Sequence, residues 1–65
     1  MYYIKERHNP QIGSYYIALG KMTAKAAKKA EQGGGYGTNY MHKFRTRAEY
    51  EAEIQSLVED GQRVN

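Results

Sequence analysis

Lys25, Lys28 and Lys29 fall at i, i+3, i+4 in the segment Thr23–Gln32 (TAKAAKKAEQ), so a helix there puts three ammonium groups on one face. Such a row suits a phosphate backbone, where each neutralised phosphate releases counterions and adds about one unit to the salt dependence of binding. A second set, Tyr3, Lys5, Arg7 and Tyr16, lies near the N-terminus. Cations that hold phosphates beside phenol rings that stack on bases are the combination single-strand binders place on a sheet. Lys21, Lys43 and Arg45 are expected to flank the same region, and Tyr36 sits in a glycine-rich loop, Gly33–Gly37, that can present its ring to a partner. Each feature also has a plainer reading: a solvated helix face, an ordinary amphipathic sheet, a simple connection.

The charge distribution favours the polyanion reading. Residues 1–47 carry nine Lys/Arg against Glu6 and Glu31, a net +7, whereas residues 48–65 carry Arg63 against five acids, a net −4. The overall +3 therefore hides a basic body and an acidic C-terminal segment. A basic surface attracts polyanions over about 8–10 Å at ordinary salt, which makes nucleic acid or an acidic or nucleoprotein surface the natural partner class.

Other chemistry lacks its residues. There is no cysteine, so disulfides, thiolate nucleophiles and thiolate zinc sites are out. His8 and His42 are the two imidazoles, with no accompanying ligand cluster for a structural zinc. The Gly33–Gly37 run follows a helix and precedes Thr38-Asn39, whereas a phosphate-binding loop follows a strand and ends in Lys-Ser/Thr. No cofactor is expected, and so small a chain has little room for an active-site pocket, so the expectation is a non-enzymatic protein. No apolar run reaches the ~20 residues of a membrane span, and the N-terminal residues lack the apolar stretch of a signal peptide. The chain reads as a complete small cytoplasmic protein without membrane contact.

Those groups need elements to position them. Tyr2–His8 (YYIKERH) and Ser14–Gly20 (SYYIALG) are strand-like, and the connection Asn9-Pro10-Gln11-Ile12-Gly13 carries turn chemistry, so residues 2–20 form a hairpin. Alternation then assigns Tyr2, Ile4, Tyr15, Ile17 and Leu19 to the buried face and Tyr3, Lys5, Arg7 and Tyr16 to the outer one. Residues 23–32 form a short helix with Thr23 as N-cap and an Ala26/Ala27/Ala30 stripe. Residues 38–45 form a third strand with Phe44 inward. Thr46 and Glu49 make a capping box for a helix over 47–60, whose Tyr50, Ile54, Leu57 and Val58 share one stripe and which Gly61 ends. The fold class is therefore α+β: a β-β-α-β-α domain, a three-stranded antiparallel sheet with the C-terminal helix on one face.

Nine Ile, Leu, Val and Phe residues in 65 make a thin core, supplemented by seven tyrosines. Either marginal stability or support from a partner or a second copy, a homodimer, follows.

Residues 38–58 resemble the end of the arm-type DNA-binding domains of phage integrases. There a last strand enters a helix through Phe-x-Thr-x-x-Glu, as Phe44-Arg45-Thr46-Arg47-Ala48-Glu49 does here. The Ala/Lys helix between strands two and three departs from that family. In size the chain is similar to accessory proteins of phages and mobile elements, anti-CRISPR proteins among them. That similarity implies the alternative role, an inhibitor or adaptor acting through its tyrosines and glycine loop.

Overall fold

In the computed structural model, which describes all 65 residues, Tyr2–Asn9 (β1) and Gly13–Lys21 (β2) pair as an antiparallel hairpin. Asn9 closes it: its Oδ1 accepts from the backbone of Gln11 (2.8 Å) and Ile12 (3.3 Å), which fixes the turn Pro10–Ile12. Ala24–Glu31 forms α1, Thr38–Phe44 forms β3 and Arg47–Glu59 forms α2. The sheet order is β2-β1-β3 with both pairings antiparallel, so the first strand is central.

The register corrects the face assignment made from the hairpin's alternation. Lys5 pairs with Ile17 and Arg7 with Tyr15, while Ile4 pairs with Ala18 and Glu6 with Tyr16. Tyr15 and Ile17 therefore share the Lys5 face, and Tyr16 lies on the Ile4 face. The five-residue connection Asn9–Gly13 already implies His8↔Ser14, and the extra pair Asn9↔Gly13 shortens the turn to three residues without changing that register. Facing residues share a face, so the even-numbered residues of β1 lie with the even-numbered residues of β2, whereas the expected assignment set the odd-numbered Tyr15 and Ile17 with Ile4. A bulge between Tyr3 and Ile4 leaves Leu19 unpaired beside Gly20, beyond these positions.

Both faces of the sheet are covered. On the Ile4 face lies α2, with the Tyr50 ring 5.4 Å from that of Tyr2 and 6.3 Å from that of Phe44, and Leu57 buried. Thr46 caps this helix through Glu49 N (3.2 Å), and its hydroxyl donates to the Glu49 carboxylate. At the other end Gly61 N reaches Val58 O and Gln62 N reaches Leu57 O, a Schellman stop with Gly61 at φ +80°. The expected stripe narrows there, because Val58 is 58% exposed. On the Lys5 face lies α1, capped by Thr23 through Ala26 N (3.1 Å), with Ala27 buried against the sheet.

The molecule measures 33 × 30 × 13 Å. Helix layers about 10 Å from each side of a sheet require more than 13 Å, so the short axis runs across the strands, spaced about 4.8 Å apart. The result is a narrow three-layer sandwich. Its β2 edge is partly covered by the chain's own C-terminus, with Tyr16 N on Arg63 O (2.8 Å), Asn65 N on Tyr16 O (2.8 Å) and Ala18 N on Asn65 O (2.9 Å). No helix is long and apolar enough to cross a membrane.

Candidate polyanion interface

Since α1 docks on the Lys5 face, the expected open sheet surface of Tyr3, Lys5 and Arg7 does not exist. All three are buried; Lys5 is 5% and Arg7 1% exposed. They hold α1 and the glycine loop to the sheet. Lys5 Nζ donates to Ala30 O (2.6 Å) in the last turn of α1 and to Gly33 O (2.7 Å) just beyond it, at the negative end of the helix dipole. Burial and the neighbouring Arg7 charge hold the Lys5 ammonium below its ordinary pKa, with Glu31 opposing the shift.

Arg7 organises the loop. Its Nη1 donates to Asn39 Oδ1 and to Gly33 O (3.3 Å), and its Nη2 to Tyr36 O (2.6 Å), while Nε has no partner. Asn39 completes the set by donating to Glu31 O (2.6 Å) and Gly33 O (3.0 Å). Gly34 and Gly37 lie against the guanidinium with φ of +111° and +124°. The glycine run thus wraps a buried cation. A Cβ at Gly37 would stand 2.6 Å from the backbone oxygen of His8. Gly37→Ala is therefore expected to destabilise the protein by about 2 kcal/mol or more through that contact and the left-handed φ, measured by urea denaturation.

The remaining cations reach the surface. Lys25, Lys28 and Lys29 are exposed on α1, and Lys21, Lys43 and Arg45 are exposed where β2 and β3 end. Tyr2 pairs with both Lys21 and Phe44, and Tyr3 pairs with Lys43, so these groups gather at one end of the sheet, where α1 begins. Lys28 and Lys43 line one shallow groove of about 240 Å³ with Tyr3, Ala27 and Met41; Glu31 is its single acid. None of these six cations forms an ion pair. The acids of α2 lie across the sheet, and there Arg47 Nε meets Glu51 at 2.8 Å in an exposed i, i+4 pair. The sheet therefore separates a basic layer from an acidic one. Tyr16 belongs to the second, its phenol held above its ordinary pKa by burial and by the charges of Glu6 and Glu53.

No protein-family model, curated protein or solved structure matches this chain.

One constellation escaped the sequence reading. On the α2 side, Glu6 accepts from both imidazoles, His8 Nε2 on one oxygen and His42 Nε2 on the other (2.6 Å), while Ser14 Oγ lies 2.7 Å from His8 Nδ1. The i, i+2 spacing of Glu6 and His8, which puts both on one strand face, was its only signal. A serine–imidazole–carboxylate chain is the skeleton of acyl transfer, but that chemistry works in a water-excluding site. Here both histidine side chains are nearly half exposed, and the second carboxylate oxygen is occupied by His42. The chain instead ties β2, β1 and β3 together. Burial raises the Glu6 pKa, but the hydrogen bonds and charges of His42 and His8 outweigh it and leave the carboxyl below the usual 4.5. A carboxyl depressed on folding stabilises the fold fully above its unfolded pKa. That stabilisation is expected to disappear as pH falls from about 4.5 through the lower folded value, and Glu6→Gln should flatten this part of a plot of Tm against pH.

Beside this cluster the hairpin turn and the glycine loop enclose an open cleft of about 810 Å³, lined by residues including His8, Ser14 and Tyr36. Tyr36 is 70% exposed at its rim.

Proposed function

We propose that this chain is a non-enzymatic polyanion-binding protein that engages nucleic acid or a nucleoprotein surface through the α1 layer. The observation that carries this reading is the separation of charge by the sheet. Lys25, Lys28, Lys29 and Lys43 lie on the α1 side with no carboxylate paired to them, and the glutamates of α2 lie on the opposite side. Lys21 and Arg45 extend the same end of the molecule. Lys5 and Arg7 serve this surface indirectly, by fixing the helix that carries it. Acids that faced the ligand would oppose binding; placed behind the sheet, they orient the molecule in the field of a polyanion.

Contacts of this kind read phosphates and carry no base sequence. Fluorescent oligonucleotides of unrelated sequence, single- and double-stranded, are the test. Saturable binding of similar strength across sequences at low salt is expected, and no binding at low salt would remove the reading.

The exposed Tyr36 ring supports a second reading, an inhibitor or adaptor that docks on a protein. It predicts that Tyr36→Ala weakens partner binding more than any single Lys→Ala on α1.

A further inference from the structure

The two edges of the sheet are treated differently. The β2 edge receives Arg63–Asn65, whereas no backbone or side-chain group of the chain bonds the outer edge of β3. The groups this leaves free can be identified. Tyr16 and Ala18 turn their amides away from β1 to meet the C-terminus, so their partners Glu6 and Ile4 turn theirs toward β3. Glu6 and Ile4 then bond Tyr40 and His42, and by alternation Asn39, Met41 and Lys43 point their N–H and C=O groups outward. Monomeric proteins blunt such an edge with proline, a bulge, an inward charge or charged side chains, lysine above all. Over Thr38–Phe44 there is no proline, the pairing with β1 runs without a bulge, and Lys43 is the single Lys, Arg, Asp or Glu on the strand.

We infer that the β3 edge is the interface of a symmetric dimer, in which a second copy of this chain adds its own β3 antiparallel about a two-fold axis at Met41. The sequence of the strand suits itself in that register. Met41 faces Met41, Lys43 faces Asn39 of the second copy, and Tyr40 faces His42, so no lysine opposes a lysine. The three outward residues of each copy form three bonded pairs, about six hydrogen bonds in all. A register shifted by two residues loses two residues of overlap. The chain also has reason to gain from such an addition, since Tyr3, Ile4, Ala27 and Leu57 are its only buried apolar residues and Tyr40 stands 52% exposed.

The consequence rests on the polyanion reading. A two-fold axis relating antiparallel strands is perpendicular to the sheet, so both α1 helices lie on one side of the six-stranded sheet and both α2 helices on the other. The cationic layer doubles in length, and a polyanion spanning both copies tightens the dimer by mass action.

The chain has no cysteine, which makes cross-linking specific. Facing residues of a bonded pair are about 5.5 Å apart at Cα, within disulfide reach, whereas Thr38 and its symmetry mate are separated by about 20 Å. Met41→Cys is expected to oxidise to a disulfide dimer at least about tenfold faster than Thr38→Cys. Wild-type mass in sedimentation equilibrium should rise with concentration from 7.5 kDa toward twice that value. A mass fixed at 7.5 kDa, or equal cross-linking of the two variants, overturns the inference, as does capture of the edge by a strand of another protein. A monomer that still binds oligonucleotides leaves the proposed function standing, and a dimer that binds none supports the edge while removing that function.

Discussion

Replacing Lys25, Lys28 and Lys29 by glutamate is expected to lower oligonucleotide affinity more than about 100-fold at 0.1 M salt, whatever the base sequence. The triple change turns the net charge from +3 to −3 and places three carboxylates where the account puts phosphates. Three lost phosphate contacts also remove about 2.7 units from the slope of log affinity against log salt. The three side chains are exposed and make no hydrogen bond or ion pair, so the fold keeps its contacts. Glutamate in the last turn of α1 costs about 0.3–1 kcal/mol per residue against the helix dipole. The neutral variants Lys→Gln separate that cost from binding: they keep the helix and should lose the same share of the slope, about 2.7 units. Fluorescence anisotropy at several salt concentrations gives both quantities, and circular dichroism verifies the helix.

The second large effect concerns stability. Arg7→Met is expected to cost about 3–5 kcal/mol, because it removes the charged group that bonds Tyr36 O and Asn39 Oδ1 and that the glycine loop encloses in a buried setting. A domain of this length has about 3–10 kcal/mol in total, so the variant should be largely unfolded at 37 °C. Guanidinium denaturation measures the loss. Lys5→Met should cost less: Gly33 O keeps Asn39 and Arg7 as donors and Ala30 O keeps the Gly33 amide, and the change relieves the desolvation of an ammonium already held below its ordinary pKa. A merely solvated Arg7 would give a loss below about 0.5 kcal/mol. That outcome would dissociate the glycine loop from the guanidinium it encloses.

These two expectations mark where the sequence was legible and where it was not. Local signals carried the elements. Thr23, Thr46 and Gly61 mark helix ends through hydrogen bonds that reach no further than five residues, and the helices cap and stop there. The order β-β-α-β-α and the antiparallel sheet follow from such signals together with the strand-like composition of the hairpin. The α2 stripe was legible at Tyr50 and Leu57 and overran at Val58, where the sheet is too narrow to cover the whole helix.

What alternation alone could not fix was the parity between two strands. The pairing of His8 with Ser14 across the connection fixes it, even-numbered residues with even-numbered ones, which puts Tyr16 on the acidic side and Ile17 on the basic one. The fate of Lys5 and Arg7 was hidden for a different reason. On an isolated hairpin, alternating cations read as a wet face, and the partner that buries them is a chain of backbone carbonyls 25 to 29 residues away, which has no residue-type signature. Of the cations first grouped together, the structure buries these two and leaves Lys21, Lys25, Lys28, Lys29, Lys43 and Arg45 at the surface. The Glu6–His8–His42 cluster was missed because its third member arrives from a strand whose register the chain alone does not show.

The central claim is that the α1 layer is the face that meets a polyanion, and backbone amide shifts in a 15N-labelled sample test it residue by residue. Adding an oligonucleotide is expected to move the amides of Lys25, Lys28, Lys29 and Lys43 and to leave those of Glu51, Ile54 and Gln55 in place. Shifts concentrated on α2, or confined to the cleft around Tyr36, would contradict the account.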